Sequence, residues 1–245
     1  MKILIKIIIF SFCSFWLFCN DLTNKVSESG DFKWGVNGGL LYGGPMPTKS
    51  TPEFSGYPIF SPFLGVFAEI GLSDNFNLQP NLIISMKGVN LTGTIRKDTL
   101  VETTIGGQTG YIPTFYTANI SGLMKLTYID LPVYLTYKFF ERGYAFFGCQ
   151  FSMLAGGSYF SDIHVVVGEG GFYDDITKHY NMYNDINRWD FALNLGAAYQ
   201  FYNKFSLKLF ATRSFFPFNK PGTIDVDKMG NMFNTYIGTS LTYDF

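Results

Sequence analysis

The sequence predicts an all-β fold: a transmembrane antiparallel up-and-down β-barrel of eight strands, with long extracellular loops and short periplasmic turns. Three observations carry this. Apolar residues recur with a period of two in eight separate segments, and every second connection between those segments is a tight turn. The 245-residue chain is also 19% aromatic but only 15% charged, too few charges to clothe a water-facing surface. Beyond the first residues there is no sustained apolar pattern at helical spacing and no apolar run of the ~18 residues a spanning helix needs.

The chain opens MKILIKIIIFSFCSFWLFC, with Lys2 and Lys6 ahead of an uncharged, mostly apolar run over 7–19. That order predicts a signal peptide over 1–19. The polar, aperiodic NDLTNKVSESGD at 20–31 reads as a flexible periplasmic tail, and 32–245 as the barrel. Lipidation of Cys19 is the alternative processing, but Phe18 stands where such a signal wants a small residue. With Cys13 and Cys19 removed, Cys149 remains, so no intramolecular disulfide is expected and its thiol is placed in a buried or lipid-facing position. Removal of 1–19 takes two lysines and no acid, leaving 16 basic residues against 19 acidic, a formal charge of −3. No nucleic-acid partner follows from such a balance.

The predicted strands are 32–42, 63–72, 76–87, 123–138, 144–160, 189–201, 205–215 and 233–245. In WDFALNLGAAYQF, 189–201, one face carries Trp189, Phe191, Leu193, Leu195, Ala197, Tyr199 and Phe201, and the other Asp190, Ala192, Asn194, Gly196, Ala198 and Gln200. A soluble barrel would turn its apolar face inward and display charges outside. Here the less apolar face is built largely of Gly, Ala, Ser, Thr and Asn, which suits a narrow interior, so the apolar face is expected to meet lipid. The connections 73–75, 139–143 and 202–204 are short; those at 43–62, 88–122, 161–188 and 216–232 are long. Alternation within TLVETTI and YIPTFYTANI suggests that 88–122 extends its neighbouring strands as a hairpin above the membrane. Ten strands is the alternative reading.

An eight-stranded barrel is wide enough only for its own side chains. Alternation is read as placing Glu69, Lys87, Lys125, Asp130, Lys138 and Lys208 inside as a polar network, with Glu69 and Lys138 close to the periplasmic end. Pro132 removes a ladder donor and marks a bulge or a break in pairing, with Asp130 and Pro132 facing inward. A periplasmic aromatic girdle is expected from Trp34, Tyr137, Tyr144, Phe201, Tyr202, Tyr243 and Phe245, joined by Phe76, Phe139, Phe140 and Phe205. The closing NTYIGTSLTYDF puts Ile237, Leu241, Tyr243 and Phe245 on one face, and this resembles the C-terminal signal that the barrel-insertion machinery is implied to read in outer-membrane proteins.

The segment YIDLPVYLTYKF at 128–139 resembles the Tyr-aliphatic-acid-aliphatic-Pro-aliphatic strand of the PorT-like outer-membrane barrel family of Bacteroidota, as do GAAYQF and the closing YIGTSLTYDF. The resemblance spans nearly the whole mature chain. It implies the barrel fold, a place in the cell outer membrane and a link to protein secretion or gliding machinery, and it transfers no functional residue.

His164 and His179 fall in the 161–188 segment with Asp162, Asp174, Asp175 and Asp185. A loosely held ion at Asp174, Asp175 and His179 and a rim-located hydrolase both start from that cluster. No HExxH, GxSxG, phosphate-loop or complete calcium-loop pattern is present, so no catalytic residue, metal or cofactor is assigned. The expected role is a non-enzymatic surface or envelope-assembly module; a small gated channel and a rim hydrolase are the alternatives. Its partners are outer membrane lipids, the insertion machinery, and an envelope protein or glycan met through the loops.

Overall fold

The computed structural model describes residues 32–47, 54–105, 108–167, 172–180, 186–218 and 231–245. The segments 1–19 and 20–31 lie outside them. The described strands are β1 (Phe32–Pro47), β2 (Phe54–Gly71), β3 (Phe76–Ile105), β4 (Gln108–Lys138), β5 (Gly143–Val167), β6 (Phe172–Tyr180), β7 (Trp189–Tyr202), β8 (Phe205–Ser214) and β9 (Met232–Asp244). Their order in the sheet is β4-β3-β2-β1-β9-β8-β7-β5-β6, and β4 also pairs with β5. Every described pairing is antiparallel, and β6 pairs with β5 alone, so eight strands close on themselves and β6 stands outside the ring. Closure satisfies the backbone groups that hydrocarbon cannot.

The turns are as tight as the sequence suggests. Leu72 N donates to Phe76 O at 2.8 Å, and Phe139 N to Gly143 O at 3.1 Å. Outside the wall, Leu64, Leu82, Ile84, Leu131, Leu195, Leu209 and Ile237 are exposed, as a lipid-facing band requires. Cys149 is exposed on this face too. Aromatics rim the band at both ends. At the periplasmic end Phe76 meets Tyr137 (centroids 4.9 Å apart) and Phe205 meets Tyr243 (4.9 Å). At the other end Tyr42 meets Phe60 (4.8 Å) and Phe151 stacks on Trp189 (5.1 Å), a second girdle that the sequence reading did not single out. From Tyr243 to Phe233 along β9, a rise of ~3.3 Å per residue and a tilt of ~40° give a band roughly 25 Å tall, the height of an outer-membrane barrel's apolar belt.

Three of the expected long loops are largely ladder, and in the first of them, 43–62, β1 takes 43–47 and β2 takes 54–62. β3 and β4 have 30 and 31 residues where a spanning strand needs about 9–11. Beyond Gly93, the last β3 residue opposite β2, their pairing continues from Thr94–Asn119 to Ile105–Gln108, roughly 40 Å of hairpin at ~3.3 Å per residue. β5 and β6 extend the same sheet on the far side of β4, with Val167 opposite both Tyr116 and Phe172. The hairpin reading of 88–122 therefore holds and the ten-strand alternative does not.

Candidate functional site

Four tiers of side chains fill the lumen between periplasm and cell exterior. At the periplasmic mouth a cavity of about 260 Å³ is lined by Lys33, Glu69, Asn77, Lys138, Tyr144 and Asp244 among others. Asn77 Nδ2 donates to Glu69 Oε1 at 2.9 Å. Lys138 lines this mouth with Glu69, on the same face of β4 as Asp130, and is exposed at the rim. Tyr144 is a correction: it lines the cavity, on the inward face with Phe146, and does not join the aromatic girdle. Of the other residues assigned to the girdle, Trp34, Tyr137, Phe201, Tyr202 and Phe245 are exposed, and Tyr243 is half-buried against Phe205 and Phe245.

The second tier is Lys208, fully enclosed. Its Nζ donates to Gln79 Oε1 at 2.8 Å and lies 5.1 Å from the Phe67 ring and 5.8 Å from that of Phe146. The electron-rich ring faces supply part of what water would. Glycines stand beside these rings where the wall is also tight against backbone: a Cβ on Gly35 would strike the Tyr243 carbonyl oxygen and come within 2.6 Å of Phe67, and one on Gly39 would strike the Thr239 carbonyl oxygen and come within 2.9 Å of Phe63. Above Lys208 the β3–β4 ladder is interrupted, with Pro80–Val133 and Ile83–Asp130 paired but the two positions between them unpaired. Pro132 sits in that gap. Asn81 fills it, donating from Nδ2 to Gln79 O (2.9 Å) and Pro132 O (3.4 Å), while Asn37 Nδ2 donates to Asn81 Oδ1 (3.0 Å). The expected break in pairing is real, and a side-chain amide repairs it.

The third tier holds the buried ion pair of Lys87 and Asp130, 2.9 Å apart and nearly inaccessible to solvent. Ser85 Oγ donates to the other carboxylate oxygen at 2.6 Å, and Lys87 Nζ lies 4.5 Å from the Tyr128 ring. Paired and hydrogen-bonded, both charges are tolerable without water. Across the lumen Asn194 Nδ2 donates to Gln150 Oε1 (3.2 Å), and Thr212 Oγ1 donates to Asn194 Oδ1. The void between these groups is about 20 Å³. Lys125 belongs to none of the tiers: it is exposed, between inward Met124 and Leu126. Strict alternation from Asp130 gives that result, since an even-numbered inward face turns residue 125 outward.

The fourth tier combines Asp190, Asn234, Ser214 and Tyr236 with an apolar cap of Val89, Met124, Leu126, Leu154, Ile186, Phe218 and Met232. Ile186 and Phe218 come from the connections before β7 and after β8 and fold back over the barrel. Asn187 N donates to Phe218 O (2.9 Å) and Phe218 N to Met232 O (2.6 Å). Neither residue stands out in the sequence, because Ile186 is a lone apolar side chain in the polar NDINR and Phe218 closes the aperiodic FFPF. Asp190 and Asn194, by contrast, were on the inward face the alternation defined.

The backbone of Asp174, Asp175 and His179 forms part of β6, opposite Val165, His164 and Phe160, so the segment assigned to the loop ion site is strand. Among the described residues no group of three or more His, Cys, Asp or Glu is placed to hold a metal ion.

Residues 23–220 match the family model described as outer membrane protein beta-barrel domain. No curated protein matches the sequence. Among solved structures the chain is similar to Ail, the attachment invasion locus protein of Yersinia pestis, at 10% identity and a TM-score of 0.39, covering 88% of this chain and 99% of that one. It is similar also to OprG from Pseudomonas aeruginosa, at 11% identity and a TM-score of 0.32 over 87% and 95% of the two chains.

Proposed function

Because the chain belongs to the outer membrane protein beta-barrel domain family and resides in the outer membrane, we propose that it is a non-enzymatic surface or envelope-assembly module rather than a pore. The observation that carries this reading is the antiparallel sheet of β3, β4, β5 and β6 continuing past the barrel, above a lumen filled tier by tier. Ladder extended that far beyond hydrocarbon has no role in spanning; it offers backbone edges and a broad face to a protein or glycan. The resemblance of YIDLPVYLTYKF to PorT-like barrels supports a partner in secretion or gliding machinery.

Mild crosslinking in native membranes followed by purification tests the reading. The full chain should retain a stoichiometric envelope partner, and a variant with 94–119 replaced by a tight turn should insert but lose it. Absence of any such partner from the full chain, together with a stable conductance, would favour the channel reading.

A further inference from the structure

We propose that the top of the lumen binds one water molecule, held between the carboxylate of Asp190 and the hydroxyl of Tyr128. Asp190, at the start of β7, is 6% exposed. Its Oδ2 accepts from Ser214 Oγ on β8 at 2.6 Å and from Asn234 Nδ2 on β9 at 2.7 Å. Asn234 Oδ1 in turn accepts from the Tyr236 hydroxyl at 3.1 Å. Every donor in this chain points towards Asp190, the arrangement around an ionised carboxylate that can only accept.

Its other oxygen, Oδ1, is buried without a hydrogen-bond partner. So is the hydroxyl of Tyr128, a side chain on β4 that is 0% exposed. That hydroxyl lies beside Asn234, the same side chain that donates to Asp190 Oδ2, and has no hydrogen-bond partner. The lumen thus brings together one orphan donor and one orphan acceptor, and dry orphans of this kind carry a desolvation cost that a partner removes.

Water takes one of each: the Tyr128 O–H donates to the water oxygen, and a water O–H donates to Asp190 Oδ1. A hard cation suits the place poorly, because it takes about 6–8 oxygens and would leave the phenolic proton with no acceptor. Bound there, the water ties β4 to β7, and through Ser214 and Asn234 to β8 and β9, directly beneath the apolar cap.

Crystals of the mature barrel at a resolution that places water oxygens decide the matter. One peak is expected about 2.7–3.0 Å from both Tyr128 Oη and Asp190 Oδ1. Tyr128→Phe should remove that peak while Ser214 and Asn234 keep their bonds to Oδ2. An ordered Tyr128 and Asp190 with no peak between them, a peak about 2.3–2.6 Å from several oxygens as a metal would give, or a peak unchanged in Tyr128→Phe would each overturn the assignment.

Discussion

Trp34 and Phe245 stack face to face, with ring centroids 4.1 Å apart and planes 19° from parallel, while Phe245 N donates to Trp34 O at 2.9 Å. Residues near the two ends of the barrel sequence thereby complete the ring at its periplasmic rim, beside the β1–β9 seam that runs from Gly35–Asp244 to Pro47–Met232. The final aromatic is thus part of the closure, and its outward ring joins Ile237, Leu241 and Tyr243 on the lipid side.

Deleting Phe245 should therefore harm assembly more than its single side chain suggests, since it removes a ladder bond, a stacked ring and the end of the segment we expect the insertion machinery to recognise. Outer-membrane fractions of cells expressing the variant should contain several-fold less folded barrel, scored by the mobility difference between heated and unheated samples. Trp34→Ala, which spares that terminal segment, should cost less folded barrel than the deletion.

The Lys87–Asp130 pair gives a sharper energetic test. Lys87→Met leaves Asp130 buried beside Ser85 without its cation, and breaking a buried pair in this way costs about 3–5 kcal/mol. Adding Asp130→Leu should recover most of that loss, because two apolar side chains leave no charge unpaired. Reversible urea unfolding in lipid vesicles, followed by tryptophan fluorescence, reads both values.

Lys125→Gln makes the contrast. The lysine is exposed outside the lumen, so its replacement should change stability by no more than about 0.5 kcal/mol in the same assay.

Most of the wall was legible in the sequence because alternation and turn spacing are local. All eight wall strands were placed, and Asp130, Pro132, Asp190 and Asn194 all face inward as their parity requires. The misplacements were local too. Lys125 breaks the parity of Asp130, and Tyr144 shares the parity of inward Phe146, so counting residues along the strand would have corrected both. What was not legible is three-dimensional. The stacking of Lys208 against Phe67 and Phe146, and the return of Ile186 and Phe218 over the barrel, depend on side chains from distant strands meeting across a lumen. The β3–β4 hairpin lay in between: its alternation was visible, but Thr- and Gly-rich composition gave no measure of how far the ladder would run.

Overpacking tests the glycine-lined interior. Gly35→Ala brings a methyl group against the Tyr243 carbonyl oxygen as well as Phe67 and should destabilise the barrel by about 1–3 kcal/mol, and adding Phe67→Leu should restore little of that, because the carbonyl of the paired strand stays in place. Full recovery in the double variant would show that the glycine serves only to make room for the ring.

Planar bilayers examine the filled lumen. The wild-type barrel should give no stable ion conductance, since Lys208, the Lys87–Asp130 pair and the apolar cap succeed one another along the axis. An ion-sized conductance that changes with Glu69→Gln would restore the channel reading.

Which face meets lipid is open to direct measurement with spin labels on cysteines at 195, 209 and 237 and at native Cys149, in barrels reconstituted into vesicles. Labels at these outward positions should relax readily with dissolved oxygen, which concentrates in hydrocarbon, and hardly at all with a water-soluble nickel chelate. Strong relaxation by the chelate and little by oxygen at all four positions would mean that the apolar face is not in the bilayer.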